Sequence, residues 1–239
     1  MKKQNGFTLV ELLVALLVGG ILMAAIYGVI NTAQRSSTGT ERRVIAQQDA
    51  RVALELMAME IRMASLNPTS AASIWISPAD CSTASGNQHA RGIQEATASS
   101  IAIEMDLTGS GIPEFPADGE INDPNEIIRY AYNAANKYIT RSTNCGGNQP
   151  FLGATNAAAD AKTVLVVNGD DDVKIPLFRY YDGSGNELAS PVANPEDIRL
   201  IEITLVADMQ HADIGTGQKR RVIYSTSVIP RNHFSTLTY

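Results

Sequence analysis

The sequence predicts an α+β chain in which one long N-terminal helix, half membrane span and half amphipathic, packs on a mainly antiparallel β-rich head. Three observations carry this prediction. Leu12 to Ile30 (LLVALLVGGILMAAIYGVI) holds no charge; beyond it apolar residues recur at helical spacing, and after Pro68 the apolar period falls from 3.6 to 2. With 239 residues and 44% hydrophobic content the chain is long enough for a sizeable core, which excludes a disordered or collagen-like protein.

The uncharged stretch rises roughly 28 Å as a helix, close to the thickness of a bilayer core. It is preceded by the basic hexapeptide MKKQNG, then Phe7, Thr8, Leu9 and Val10, with one carboxylate, Glu11, inside otherwise apolar sequence. No small-residue A-x-A site lies between Tyr27 and Ser37, so removal of the span as a secretory signal is not expected. Lys2 and Lys3 before the span place the short N-terminus in the cytoplasm and send the bulk of the chain across.

Ala50, Ala53, Leu54, Met57, Ile61 and Ala64 then mark one helical face, with Gln47, Arg51, Glu55 and Arg62 elsewhere. Asn67 and Pro68 stop the pattern, so helix is expected from Phe7 to about Leu66, with a weak point at Ser36 to Thr40. In the head, alternation marks Ile101 to Leu107, Ile128 to Tyr132, Ile201 to Leu205 and Val222 to Val228. Shorter runs lie at Ile74 to Ile76, Thr163 to Val167 and Leu177 to Tyr181, giving roughly six or seven strands with Gly-rich connections. Segments 78–98 and 142–161 read as long loops, each holding one of the two cysteines.

Charged residues are 18% and the net charge is -6, so nucleic acid is not an expected partner. Cys81 and Cys145 lack CxxC spacing, which excludes the common structural zinc patterns. In an exported head a Cys81–Cys145 disulfide is expected over a pair of buried thiols. His89, His211 and His233 fall in presumed loops and the tail and read as solvated. No GxSxG, Walker A or HExxH pattern occurs, so no enzyme is expected. Gly215 to Arg221 reads as a basic hairpin loop. Asp106, Thr108, Ser110 and Gly111 follow half of an EF-hand loop, but Ala117 stands where a bidentate Glu is needed. Asp170 to Asp172 and the turn Asp182, Ser184, Asn186 cluster oxygens that turn chemistry and solubility explain. No cofactor is expected; Asp106 and Asp182 are the calcium candidates, neither with a complete cage.

The N-terminus, Gly6 before Phe7, Glu11 five residues after the junction and then an apolar helix behind a short basic leader, resembles the type IV prepilin family. The resemblance implies that a membrane-embedded prepilin peptidase cuts between Gly6 and Phe7 and N-methylates Phe7, and that Glu11 pairs with the N-terminal amine of a neighbouring subunit. It divides the chain into a leader (1–6), a transmembrane and assembly helix (7–30), an amphipathic helix continuing into the head (31–67) and a β-rich head (68–239). Loss of Lys2 and Lys3 leaves 17 basic against 25 acidic side chains, a net of -8. Arg51 to Ala64 (RVALELMAMEIRMA), Asp106 to Gly111 (DLTGSG), Tyr180 to Glu187 (YYDGSGNE), Ile198 to Thr204 (IRLIEIT) and Val228 to Asn232 (VIPRN) are similar to the PilW-type minor pilins, relatives of the J-type minor pseudopilins of type II secretion.

That likeness implies a low-abundance subunit at or near the tip of a type IV pilus, with other minor pilins and the major pilin as partners. Before assembly the subunit would be held in the inner membrane with its head in the periplasm, and afterwards it would reach the cell surface. A pseudopilin role, a tip adhesin or DNA-uptake receptor, and a tethered enzyme are the competing classes. Acidity opposes the DNA version, and the enzyme lacks a visible site.

Overall fold

The computed structural model describes residues 8–79, 81, 86–107, 117–153, 164–209 and 219–234. A single helix, α1, runs from Leu9 to Met63. It passes through Ser36 to Thr40 without a break, and there Thr38 and Thr40 turn their hydroxyls back onto the carbonyls of Gln34 (2.9 Å) and Ser36 (3.0 Å). Those local bonds satisfy groups that would otherwise compete with the helix.

The helix stops just short of the expected Leu66. Ser65 adopts φ +65°, and its N–H donates to Glu104 O at 2.8 Å, so the chain leaves the helix by docking on a strand. The residues from 9 to 30 are exposed throughout, whereas Ala46, Ala50, Ala53, Leu54, Met57, Ala58, Ile61 and Ala64 are buried. Every residue of the anticipated stripe is on the buried face, and its alanines allow close approach of the strands beneath.

The head has two antiparallel sheets where one was anticipated. The first is a meander of β1 (Ile93–Ala96), β2 (Ser100–Glu104), β3 (Ile127–Asn133), β4 (Tyr138–Thr143) and β5 (Gln149–Leu152), in that order. In the second, β8 (Leu200–Met209) is central: β9 (Arg221–Val228) pairs along one edge, and β6 (Val164–Val166) and β7 (Phe178–Tyr181) lie end to end along the other. Val166 N–H donates to Lys137 O and Tyr132 Oη to Val166 O, which joins the sheets. One core unites the buried half of α1 with residues of both sheets. A smaller cluster holds Ile74, Trp75, Ile76, Ile121 and Ile127.

Four local expectations change. Segment 78–98 contains β1, and segment 142–161 contains β5; each is only four residues long, too short to show an alternation. The strand β4, with only Ile139 fully buried among Tyr138, Ile139 and Thr140, was not anticipated. Ile74 to Ile76 is not a strand, since side chains replace a ladder: Gln88 bonds the N–H and C=O of Trp75 (3.2 and 2.6 Å), and Glu104 accepts from Ile76 N–H (3.1 Å).

Candidate functional site: the helix terminus and its supports in the head

At the start of α1 Thr8 is the N-cap. Its Oγ accepts from Glu11 N–H at 3.3 Å, while the Glu11 carboxylate accepts from Thr8 N–H and Thr8 Oγ–H, both at 2.9 Å. This reciprocal capping box satisfies two donors that a helix terminus leaves open. The lone carboxylate in the apolar segment therefore has partners within its own chain, three residues away. Gly6 and Phe7 lie outside the described residues.

The second half of the helix is secured by a charge. Glu60 is buried and receives Arg141 Nη2 at 2.7 Å and Nε at 3.2 Å, together with the hydroxyl of Tyr130. This bonded carboxylate ties α1 to β3 and β4. Its only sequence signal is a Glu on the apolar face.

Cys81 and Cys145 are disulfide-bonded, with Cα atoms 5.9 Å apart and 64 positions between them. The bond links the turn after Ser77 to the β4–β5 connection.

The calcium candidates hold N–H and O–H donors. Asp182 accepts from Ser184 N–H (2.8 Å), Asn186 N–H (2.9 Å) and Asn186 Nδ2 (3.0 Å), which is a turn anchor. Asp106 is fully buried; its Oδ2 accepts from Gly119 N–H at 3.0 Å, where φ is +86°, and from Thr69 Oγ1 at 3.5 Å. Its other oxygen has no hydrogen-bond partner among the described residues, and burial with Glu126 and Asp118 nearby raises its pKa. Thr108, Ser110 and Gly111 lie outside the described residues. Asp170, Asp171 and Asp172 disperse to Lys137 (2.7 Å), Lys174 (3.4 Å) and Arg221 (2.7 Å). Among the described residues no three His, Cys, Asp or Glu side chains converge on a metal position.

His233 departs from its expected solvated state. It is buried, with Nδ1 2.7 Å from Ser65 Oγ and Nε2 2.8 Å from Pro195 O. A carbonyl only accepts, so Nε2 carries the proton and Nδ1 accepts from Ser65. Ser65 Oγ in turn accepts from Gly92 N–H at 3.1 Å. Burial pushes the His233 pKa down to about 4. The pair clamps the C-terminal turn Arg231–Phe234 to the end of α1. His89 is exposed, and His211 lies outside the described residues.

Glu104 is also fully buried. One oxygen accepts from Ile76 N–H and the other has no partner among the described residues, and burial pushes its pKa up to about 8.

Residues 1–27 match the prokaryotic N-terminal methylation motif. The match covers the basic leader, the Gly6–Phe7 junction, Glu11 and most of the apolar segment, and it leads into a helix long and apolar enough to cross a membrane. Together they support a type IV pilin- or pseudopilin-like protein, with a membrane-anchoring helix and a motif that implies processing by prepilin peptidase. No curated protein and no solved structure matches the chain.

Proposed function

We propose that this chain is a minor pilin that helps to initiate assembly of a type IV pilus and sits at or near its tip, through helix and head contacts with other minor pilins and the major pilin. The observation that carries this reading is the methylation motif at residues 1–27 continuing into a 55-residue helix that is exposed from Leu9 to Ile30 and buries one face in the head from Ala46 onward. An exposed apolar helix of that length needs a bilayer before assembly and other helices after it.

Prepilin peptidase cuts between Gly6 and Phe7 and methylates the new amine on Phe7. The positive leader holds the N-terminus in the cytoplasm, so the head is periplasmic and its disulfide forms in an oxidising compartment. A carboxylate at the depth of Glu11 costs about 2.5 to 3.5 kcal/mol on insertion scales, and the Thr8 capping box offsets part of that in the stored subunit. On docking, Glu11 takes the amine of a neighbouring subunit as a stronger partner. A subunit that uses Glu11 in this way has a neighbour above it and is not the topmost one.

Deletion of the gene is expected to abolish filaments. Intact filaments with loss of protein secretion would assign the chain to a type II pseudopilus instead. Gly6→Leu is expected to leave uncut chain in the membrane, read by intact mass. Glu11→Ala is expected to be cut normally but to lose at least tenfold in co-purification with partner pilins, with Glu11→Asp intermediate. Normal recovery of partners by Glu11→Ala would refute the pairing role.

A further inference from the structure

The outer edge of β9 is open among the described residues. Met209 N–H donates to Arg220 O at 3.0 Å, and the backbone of β8 turns the other way at Thr204 and Val206, to Leu177 O and Val167 N–H (both 2.9 Å). With the unbroken register from Asp208↔Arg221 to Ile201↔Val228, Val222, Tyr224, Thr226 and Val228 bond β8. The N–H and C=O groups of Arg221, Ile223, Ser225 and Ser227 therefore point away from the sheet. No bulge or proline interrupts this strand, and such an edge is a template for another strand.

Two further features bear on what pairs there. Ile223 (59% exposed) and Ile229 (52%) are the exposed large hydrophobics outside α1 among the described residues. From Lys219 to Phe234 the chain carries Lys219, Arg220, Arg221 and Arg231 and no acidic residue, although the whole protein is at -6. Lys219, Arg220 and Arg231 are exposed, so both ends of the edge are basic. Antiparallel pairing of two copies would set Lys219 and Arg220 of one against Arg231 of the other, and like charges there oppose it. An acidic strand meets these cations; the carboxylates beside the edge, Asp172 and Asp208, are held by Arg221 at 2.7 and 2.8 Å, and Glu202 accepts from Ser225 Oγ at 3.3 Å.

We propose that the open edge of β9 receives an extended acidic segment of a neighbouring subunit, which adds a strand to the second sheet. The proposal rests on the reading of the chain as an assembly subunit. Main-chain bonds to the four outward residues supply affinity, an apolar side chain covers Ile223, and carboxylates at the ends of the segment meet Lys219, Arg220 and Arg231. Since β9 also packs under α1, with the Arg51 guanidinium 5.3 Å from the Tyr224 ring centroid, the added strand lies beside the assembly helix.

The test is amide hydrogen exchange on the full processed chain in detergent, with an end-capped octapeptide EEVTVTVE as probe and KKVTVTVK and oligothymidylate as comparisons. The amides of Ile223, Ser225 and Ser227 are expected to exchange fast in the free chain and at least tenfold more slowly with the acidic peptide. Ile223→Pro removes one outward N–H and no bond to β8; Ile223→Glu keeps the whole backbone and sets a carboxylate against the peptide. Each is expected to weaken peptide binding, and co-purification with partner pilins, at least tenfold. Outward amides already protected in the free chain, equal binding of the basic peptide, protection by oligothymidylate alone, or unchanged binding by Ile223→Glu would each overturn the proposal. Peptide binding reads the edge itself, whereas Glu11→Ala reads the assembly role, so the two failures are separable.

Discussion

Two buried titratable residues give the head opposite responses to pH. His233, ordinarily near 6.5, is pushed down to about 4 in the fold, so between those values the unfolded chain binds more protons and stability is lost as pH falls. Glu104, ordinarily near 4.5, is pushed up to about 8, so over that window the folded chain binds more protons and stability is lost as pH rises. The slopes oppose each other from about 4.5 to 6.5, leaving only the Glu104 loss between about 6.5 and 8. The melting temperature is therefore expected to be flat across the lower window and to decline across the upper one. Glu104→Gln should abolish that decline; a decline of the same size in the variant would exclude Glu104 as its source. At Glu60, removal of the partner strands a buried carboxylate, so Arg141→Ala is expected to lower stability by about 2 to 3 kcal/mol in urea unfolding.

At the scale of the helix, burial begins only at Ala46, so changes before and after that point have different outcomes. Met57 is fully buried between α1 and the sheets, and Met57→Ala is expected to cost about 2 to 5 kcal/mol through lost burial and a cavity. Thr38 lies in an exposed but continuous turn whose hydroxyl bonds Gln34 O. Thr38→Pro should kink the helix without unfolding the head, read as an unchanged head melting transition with reduced filament incorporation. An uncharged apolar run made this helix legible as far as Ile30, and the 3.6-residue stripe from Ala50 made it legible almost to its end, because burial there repeats with the helical period. Its last turn was not legible, because the stop is made by Glu104 O, a strand partner far along the chain.

Across the whole molecule the Cys81–Cys145 bond closes a loop that contains β1, β2, β3 and β4. In the chain-entropy model it contributes about 4 kcal/mol. The double substitution Cys81→Ser with Cys145→Ser is expected to lower unfolding free energy by about that amount, with equal urea midpoints in the presence and absence of reductant. Retention of the parent midpoint would show that the bond constrains little.

What the sequence alone determined is what repeats locally: an uncharged run of bilayer length, a 3.6-residue stripe that is buried at Ala50, Ala53, Leu54, Met57, Ile61 and Ala64, and period-2 runs that became β2, β3, β8 and β9. The N-terminal motif was equally legible, since all its parts lie within residues 1–27. Tertiary structure alone decided the division into two sheets, the irregular path of Ile74 to Ile76 and the polar supports of the helix. Glu60 meets Arg141 across 81 positions, and Ser65 meets His233 across 168. A histidine in a tail and a glutamate on an apolar face leave no periodic trace of their partners. Their burial is tolerable only because distant backbone and side-chain groups bond them, and which groups arrive there is set by the packing of the whole chain.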